Sequence, residues 1–223
     1  MSSQHNGGMS ALLHPLAEKA LAVRARSSGR AILGITGAPG SGKTTLVRRL
    51  LAALEPVMPG RVAWLPMDGF HLADSTLRSL GRLDAKGAID TFDGYGYLAT
   101  LRRIHAETTH TVYAPDFDRV LEQPLAGGIA IPPSTELVLT EGNYLLDGSA
   151  PWSSVRAELA EVWFCDVPDD VRRERLVARH VEFGKSPDAA AAWVESVDEA
   201  NARRVQSTRD RADLVVETTV AAG

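Results

Sequence analysis

Several things are scarce in this chain of 223 residues, and each scarcity closes off a class of protein. There is one cysteine, so no disulfide can form within the chain. Cys165 sits inside the apolar run Val162-Trp163-Phe164-Cys165 and reads as a small core residue, in keeping with a reducing compartment. No apolar stretch approaches the length of a membrane span. Met1 to Ser10 are small and polar, without a charged segment leading into an apolar run, so no leader is expected and residues 1–10 read as a disordered N-terminus. The histidines show no paired metal-ligand spacing, so no zinc site is expected. Neither sign of charge dominates: 24 Lys and Arg against 28 Asp and Glu leave a net charge of −4, which argues against a nucleic-acid surface. Internal repeats and low-complexity tracts are missing as well. The expectation is a soluble, cytoplasmic protein whose partners are neither nucleic acid nor membrane; a homodimer is left open.

What is present is enough chain, 44% hydrophobic, for one α/β domain over residues 11–223. It is organised around Ile32-Leu33-Gly34-Ile35-Thr36-Gly37-Ala38-Pro39-Gly40-Ser41-Gly42-Lys43-Thr44-Thr45-Leu46. An apolar strand stops at Gly37, a glycine-rich loop follows, and Lys43-Thr44-Thr45 opens a segment with Leu46, Leu50, Leu51 and Leu54 at helical spacing. Strand before and helix after are the context that separates a phosphate-binding loop from a chance match. In such a loop, the backbone of Gly37, Ala38, Pro39, Gly40, Ser41 and Gly42 folds back so that its N–H groups, Pro39 having none, turn into one concavity at the helix N-terminus, where they meet phosphate oxygens. Lys43 adds a point charge for the β- and γ-phosphates, and the Thr44 hydroxyl is placed to ligate Mg²⁺. The ligand expected is therefore ATP, or another nucleoside triphosphate, with magnesium.

The flanking chain alternates helical and strand patterns. Helices are expected over 11–27, from the loop to Leu54, over 95–105, 151–159, 168–181 and 187–205. Strands are expected at Ala31 to Thr36, Arg61 to Met67, Glu136 to Thr140, Glu161 to Cys165 and Asp213 to Glu217, with Pro66 suggesting an edge position for the second. The fold class is thus α/β, a three-layer P-loop NTPase fold with a parallel sheet of about five strands. Residues 72–94 and the stretch from Thr111 through Gly127-Gly128 to Pro132-Pro133 read as irregular, and such long irregular stretches point to a substrate pocket.

Three uses of the γ-phosphate compete. A GTPase needs a guanine-selecting Asn-Lys-x-Asp sequence, and the chain has none; a transport or motor ATPase needs a signature loop or a further domain, and neither fits. A small-molecule kinase needs a carboxylate to orient the acceptor hydroxyl, an acid in the metal shell, and cations that close over the phosphoryl group. Asp68 after the second strand, Glu141 after the third, and Arg172, Arg175 and Arg179 on one helical face supply a candidate for each. Each has a plainer reading: a strand-end carboxylate also caps a helix, an arginine stripe is also a solvated face, and Asp90 and Asp93 suit turns.

At this point the residues are similar to a known group. Gly37 to Thr44, Met67-Asp68-Gly69-Phe70-His71, Lys86-Gly87 with Asp90-Thr91-Phe92-Asp93, Ala114-Pro115, Glu141-Gly142-Asn143 and Thr208-Arg209-Asp210-Arg211-Ala212-Asp213 resemble the phosphoribulokinase/uridine kinase superfamily over about residues 30–217. The Asp-Gly-Phe, Lys-Gly and Thr-Arg-x-Arg-Ala pieces look most like type I pantothenate kinase and its short relatives, nucleoside kinase-like or fructose-transport-system kinase proteins. The resemblance implies that Asp68 is the catalytic or acceptor-orienting carboxylate beside Lys43, that Glu141 joins Thr44 in the magnesium shell, and that Arg175 and Arg179 lie on a small helical lid, about 172–186. It implies further that Arg209 lies beside the adenine, and that His71, Asp93, Asp116, Arg119 and Asn143 meet the acceptor. Asp116-Phe117-Asp118-Arg119 replaces a tyrosine and histidine of pantothenate kinase, and the chain is shorter, so the acceptor stays open: a pantothenate-, sugar- or nucleoside-like hydroxyl compound. A uridine or cytidine kinase is one alternative. A slow ATPase acting as a nucleotide-dependent regulatory protein is another, from a different class.

Overall fold

The computed structural model describes residues 5–118 and 121–218, with side chains from His14 onward within them. In chain order the elements are α1 (His5–Arg26), β1 (Ala31–Thr36), α2 (Lys43–Leu54), β2 (Val62–Pro66), α3 (Asp74–Ser79), α4 (Gly94–Ala106), β3 (Val112–Asp118) and β4 (Gln123–Ile131). There follow β5 (Leu137–Glu141), α5 (Trp152–Ala157), β6 (Glu161–Asp166), α6 (Asp169–Glu182), α7 (Pro187–Trp193), α8 (Glu199–Gln206) and β7 (Leu214–Glu217), with a π-helical turn, Val194–Asp198, joining α7 to α8. Of the tail expected at the N-terminus, residues 1–4 lie outside the described residues, and the first helix begins at His5 rather than at residue 11.

Five strands form one parallel sheet in the order β2-β5-β1-β6-β7. The sequence pattern explains the order. β1 sits at the centre and is buried along its whole length, as an uninterrupted apolar run without polar alternation requires. β2 lies at an edge, where Pro66 costs the ladder least. Because successive side chains point to opposite faces, Ile32 and Val138 enter one core with α4, α5 and β3, while Leu33, Ile35 and Leu139 enter the other with α1 and α2. Parallel strands carry their carboxyl ends to one edge, and that edge holds Gly37, the turn Met67–Phe70, Gly142 and Asp166.

One expectation is corrected. The stretch from Thr111 to Gly128, read as loop, is an antiparallel hairpin of β3 and β4 with a register shift between Ala114 and Asp116. Pro115, Pro124, Gly127 and Gly128 hide it, because both residue types are rare in strands. Packing makes the hairpin nevertheless: Val112, Ala114 and Ile131 are buried in the core with α4, while Tyr113 faces outward.

Candidate active site

The phosphate loop is shaped by contacts that exclude side chains. Gly37, Gly40 and Gly42 have φ of 150°, 79° and 90°. A Cβ on Gly37 would come 2.6 Å from the Cys165 carbonyl, and one on Gly40 would come 2.8 Å from that of Arg172, so β6 and α6 hold the loop from behind. Pro39, Gly40, Lys43 and Thr44 line a cleft of about 340 Å³; Gly37, Ala38, Ser41 and Gly42 stand behind them, and Thr45 is exposed on α2. The Lys43 ammonium donates to the carbonyls of Gly37 at 2.9 Å and Ala38 at 3.1 Å. Burial lowers its pKa, and the charges of Glu141 and Asp68 oppose that shift, which puts both carboxylates in its electrostatic neighbourhood. Burial likewise pushes the Cys165 thiol up to about 12, so it is the inert core residue that its sequence setting suggests.

Asp68, Glu141 and Asn143 reach the same cleft from the ends of β2 and β5. Glu141 Oε1 accepts a hydrogen bond from the Thr44 hydroxyl at 3.0 Å. Gly142 permits the approach of the two strand ends: a Cβ there would lie 2.5 Å from Met67 Sδ. His71 donates Nδ1–H to the Asp68 carbonyl at 2.9 Å and lies between Phe92 and Phe117, with ring centroids 4.0 and 5.1 Å away. A carbonyl only accepts, so this bond sets the tautomer or the charge of the ring.

The arginines divide. Arg179 lines the cleft, and an Arg175 Nη lies 3.8 Å from where a Gly42 Cβ would be, on the other flank of the loop. Arg172, expected to share their face toward phosphate, is instead buried between Asp169 and Glu199, where it ties α6 to α8. Arg209 is held by Asp166 at 2.8 Å, on the nucleotide edge of the sheet but outside the cleft lining.

Two residues implied to meet the acceptor bond to nearby backbone. Asp93 caps α4, taking the Gly96 N–H at 2.8 Å, and Asp116 takes the Phe117 N–H at 2.8 Å; neither lines the cleft. Arg119 lies outside the described residues.

The far wall is formed by His180, Phe183 and Lys185, which fall within the segment 172–186 expected as a lid, and by Trp193, Asp198 and Asn201, which sequence reasoning passed over. Here His180 Nε2 meets Asp198 Oδ2 at 2.9 Å, and the Lys185 ammonium lies 4.6 Å from the Trp193 ring centre. No local motif marks these residues, because the fold assembles them from the end of α6, the connection after it and the bulged α7–α8 helix. Lys86, part of the Lys86-Gly87 resemblance, also lines the cleft. It donates to Asp74 at 2.8 Å and to the Glu122 carbonyl at 2.6 Å, fastening the hairpin turn over the cleft.

Thr44 and Glu141 present two hard oxygens side by side, a donor set that suits Mg²⁺, which takes one or two protein ligands and completes its shell with phosphate and water. Ser41 Oγ, buried in the loop, has no hydrogen-bond partner among the described residues, as a loop built around a ligand would leave it. No helix among the described residues is long and apolar enough to cross a membrane.

No family model matches the chain. An ATP-dependent kinase-like protein of Aspergillus versicolor is 37% identical over 152 residues, covering 64% of this chain and 88% of that one. A uridine kinase-like protein of Schizosaccharomyces pombe is 30% identical over 198 residues, 84% of this chain and 83% of its own length. Among solved structures, a fructose transport system kinase-like protein of Silicibacter sp. TM1040 superposes with a TM-score of 0.83 at 35% identity, over 92% of this chain and 98% of that one. With its phosphate loop, its parallel sheet and these relatives, the chain belongs to the P-loop kinase superfamily as a small-molecule kinase.

Proposed function

We propose that this protein transfers the γ-phosphoryl group of MgATP to a hydroxyl of a small metabolite. The observation that carries the reading is the meeting of Asp68 with Lys43, Thr44, Glu141 and Arg179 around one cleft. Lys43, already buried at the loop, supplies fixed positive charge where the β- and γ-phosphates bind. Arg179 adds a second cation from α6, and Arg175 a third beside Gly42. Thr44 and Glu141 would hold magnesium, which when bound neutralises phosphate charge.

Asp68 is the acceptor-orienting group. Its carboxylate aligns the incoming hydroxyl and takes the proton as the new O–P bond forms and the bond to ADP breaks. Such catalysis is positioning and charge stabilisation, with no covalent intermediate on the protein. His71, clamped to the Asp68 backbone, fixes the turn from which that carboxylate projects.

The test is an acceptor panel of sugars, nucleosides, pantothenate and glycerate, scored as acceptor-stimulated ADP production, with Asp68→Asn as the control. The substitution is expected to leave nucleotide affinity near wild type and to lower kcat by about 10²–10⁴-fold. Full transfer in Asp68→Asn would remove that residue from the mechanism. Turnover that answers only to a protein partner would replace the kinase reading with a regulatory one.

A further inference from the structure

Asn201 is a carboxamide in the wrong place for a structural residue. It is 8% exposed and lines the cleft, yet its side chain has no hydrogen-bond partner among the described residues. Its amide atoms open into the cleft rather than into the core, where they are left to whatever the cleft holds.

Its setting is built rather than accidental. The helix from Pro187 to Gln206 widens for one turn at Val194–Asp198, where the Glu199 N–H reaches back five residues to the Val194 carbonyl. Turns of this kind collect at functional sites. In a regular helix, residues five apart point away from each other; the wide turn brings Trp193 and Asp198 to one side, and Asn201 follows three residues on. All three line the cleft, with Asp198 fixed by the His180 ring at 2.9 Å. Across from them stand Gly87, whose Cβ would lie 4.0 Å from Asn201 Nδ2, and the rings of Phe92 and Phe117.

Resting on the kinase reading above, we propose that Asn201, with Asp198 beside it, binds the acceptor, and that the acceptor is an uncharged vicinal diol. A carboxamide presents an N–H donor and a carbonyl acceptor side by side, which matches two neighbouring hydroxyls, one accepting and one donating. Asp198 offers a further acceptor, and the aromatic rings cover the C–H face of such a molecule. An anionic acceptor would enter a cleft already holding Asp68, Asp198, Glu122 and Glu141; of its cations, Lys43 and Arg179 serve the phosphates in the kinase reading, Lys86 is engaged by Asp74 and the Glu122 carbonyl, and Lys185 lies against the Trp193 ring. Free sugars and the ribose of a nucleoside share the diol chemistry.

Steady-state kinetics with saturating MgATP separates the outcomes. Free sugars and alditols form one arm, nucleosides the second, and hydroxy acids such as glycerate the third. One of the first two arms is expected to give the highest kcat/KM, and which one does so identifies the source of the diol. For that acceptor, Asn201→Leu should raise KM about 10–100-fold while the affinity for ATP, measured by titration, stays within about twofold. Acceptor analogues lacking one of the two hydroxyls should lose a similar factor with wild type and little with Asn201→Leu, because the contact is already gone. Asn201→Asp, which keeps the shape, gives the same comparison if the leucine variant folds poorly. Preference for a hydroxy acid, or an unchanged acceptor KM in both variants, overturns this inference and leaves the kinase reading intact. The absence of any acceptor-stimulated turnover overturns both.

Discussion

At the scale of single residues, Lys43 concentrates the argument. Its ammonium is buried and satisfied by two loop carbonyls, so the positive charge is held ready before nucleotide arrives. Removing it leaves the carbonyls of Gly37 and Ala38 without their donor and the phosphates without their nearest fixed cation. Lys43→Ala is therefore expected to lower ATP turnover by about 10²–10³-fold or more, read in a coupled ADP assay. Arginine should not rescue it, since a planar fork cannot occupy a pocket shaped for a point charge. The loop residues, Asp68, Glu141 and Asn143 were legible in the sequence because each follows a strand at fixed covalent spacing. Asn201, Asp198 and Trp193 were not, because a π-helical turn, which leaves no compositional mark, decides which way they face. Asp93 and Asp116 stand apart: their side chains bond to neighbouring backbone N–H groups, as turn carboxylates do.

Among elements, α6 does the most. Its first turns press on the phosphate loop through Arg172 and Leu176, and a later turn carries Arg179 into the cleft. Arg172 anchors this arrangement, since its buried guanidinium reaches Glu199 on α8, which also receives Arg173 at 2.9 Å. Helical spacing groups the three arginines, but could not say that Glu199, 27 positions away, would claim the first of them. A buried pair is expensive to break because the remaining charge stays desolvated. Glu199→Gln is thus expected to destabilise the fold by about 3 kcal/mol, measured as a lower urea midpoint at unchanged slope. The double replacement Arg172→Met with Glu199→Leu should recover most of that loss, since an apolar pair needs no compensation.

For the whole molecule, alternating strand and helix patterns foretold the parallel sheet and its ligand edge, while the hairpin stayed hidden because tertiary packing overrode its prolines and glycines. The sheet alone does not make the cleft. Two parts of its lining come from the chain after β5, which carries Asn143, and from α8, which carries Asn201. They are joined by Asp147, whose carboxylate takes Arg204 Nε at 2.6 Å and Ser149 N–H at 2.8 Å. Burial alone would raise the Asp147 pKa, but the Arg204 and Ser149 donors outweigh it and hold the group at about 2, below its ordinary 3.8. A carboxylate with a depressed folded-state pKa stabilises the fold above its unfolded pKa and loses that contribution as pH falls through the folded value. Arg204 is 43% exposed, so solvent screens the pair and the contribution is put at roughly 1–2 kcal/mol. Asp147→Asn should accordingly be less stable than wild type by that amount at pH 7. In urea titrations the gap should hold down to about pH 4, narrow between pH 4 and pH 2, and vanish below. A gap that persists at pH 2 would mean that Asp147 acts through its shape and not through its charge.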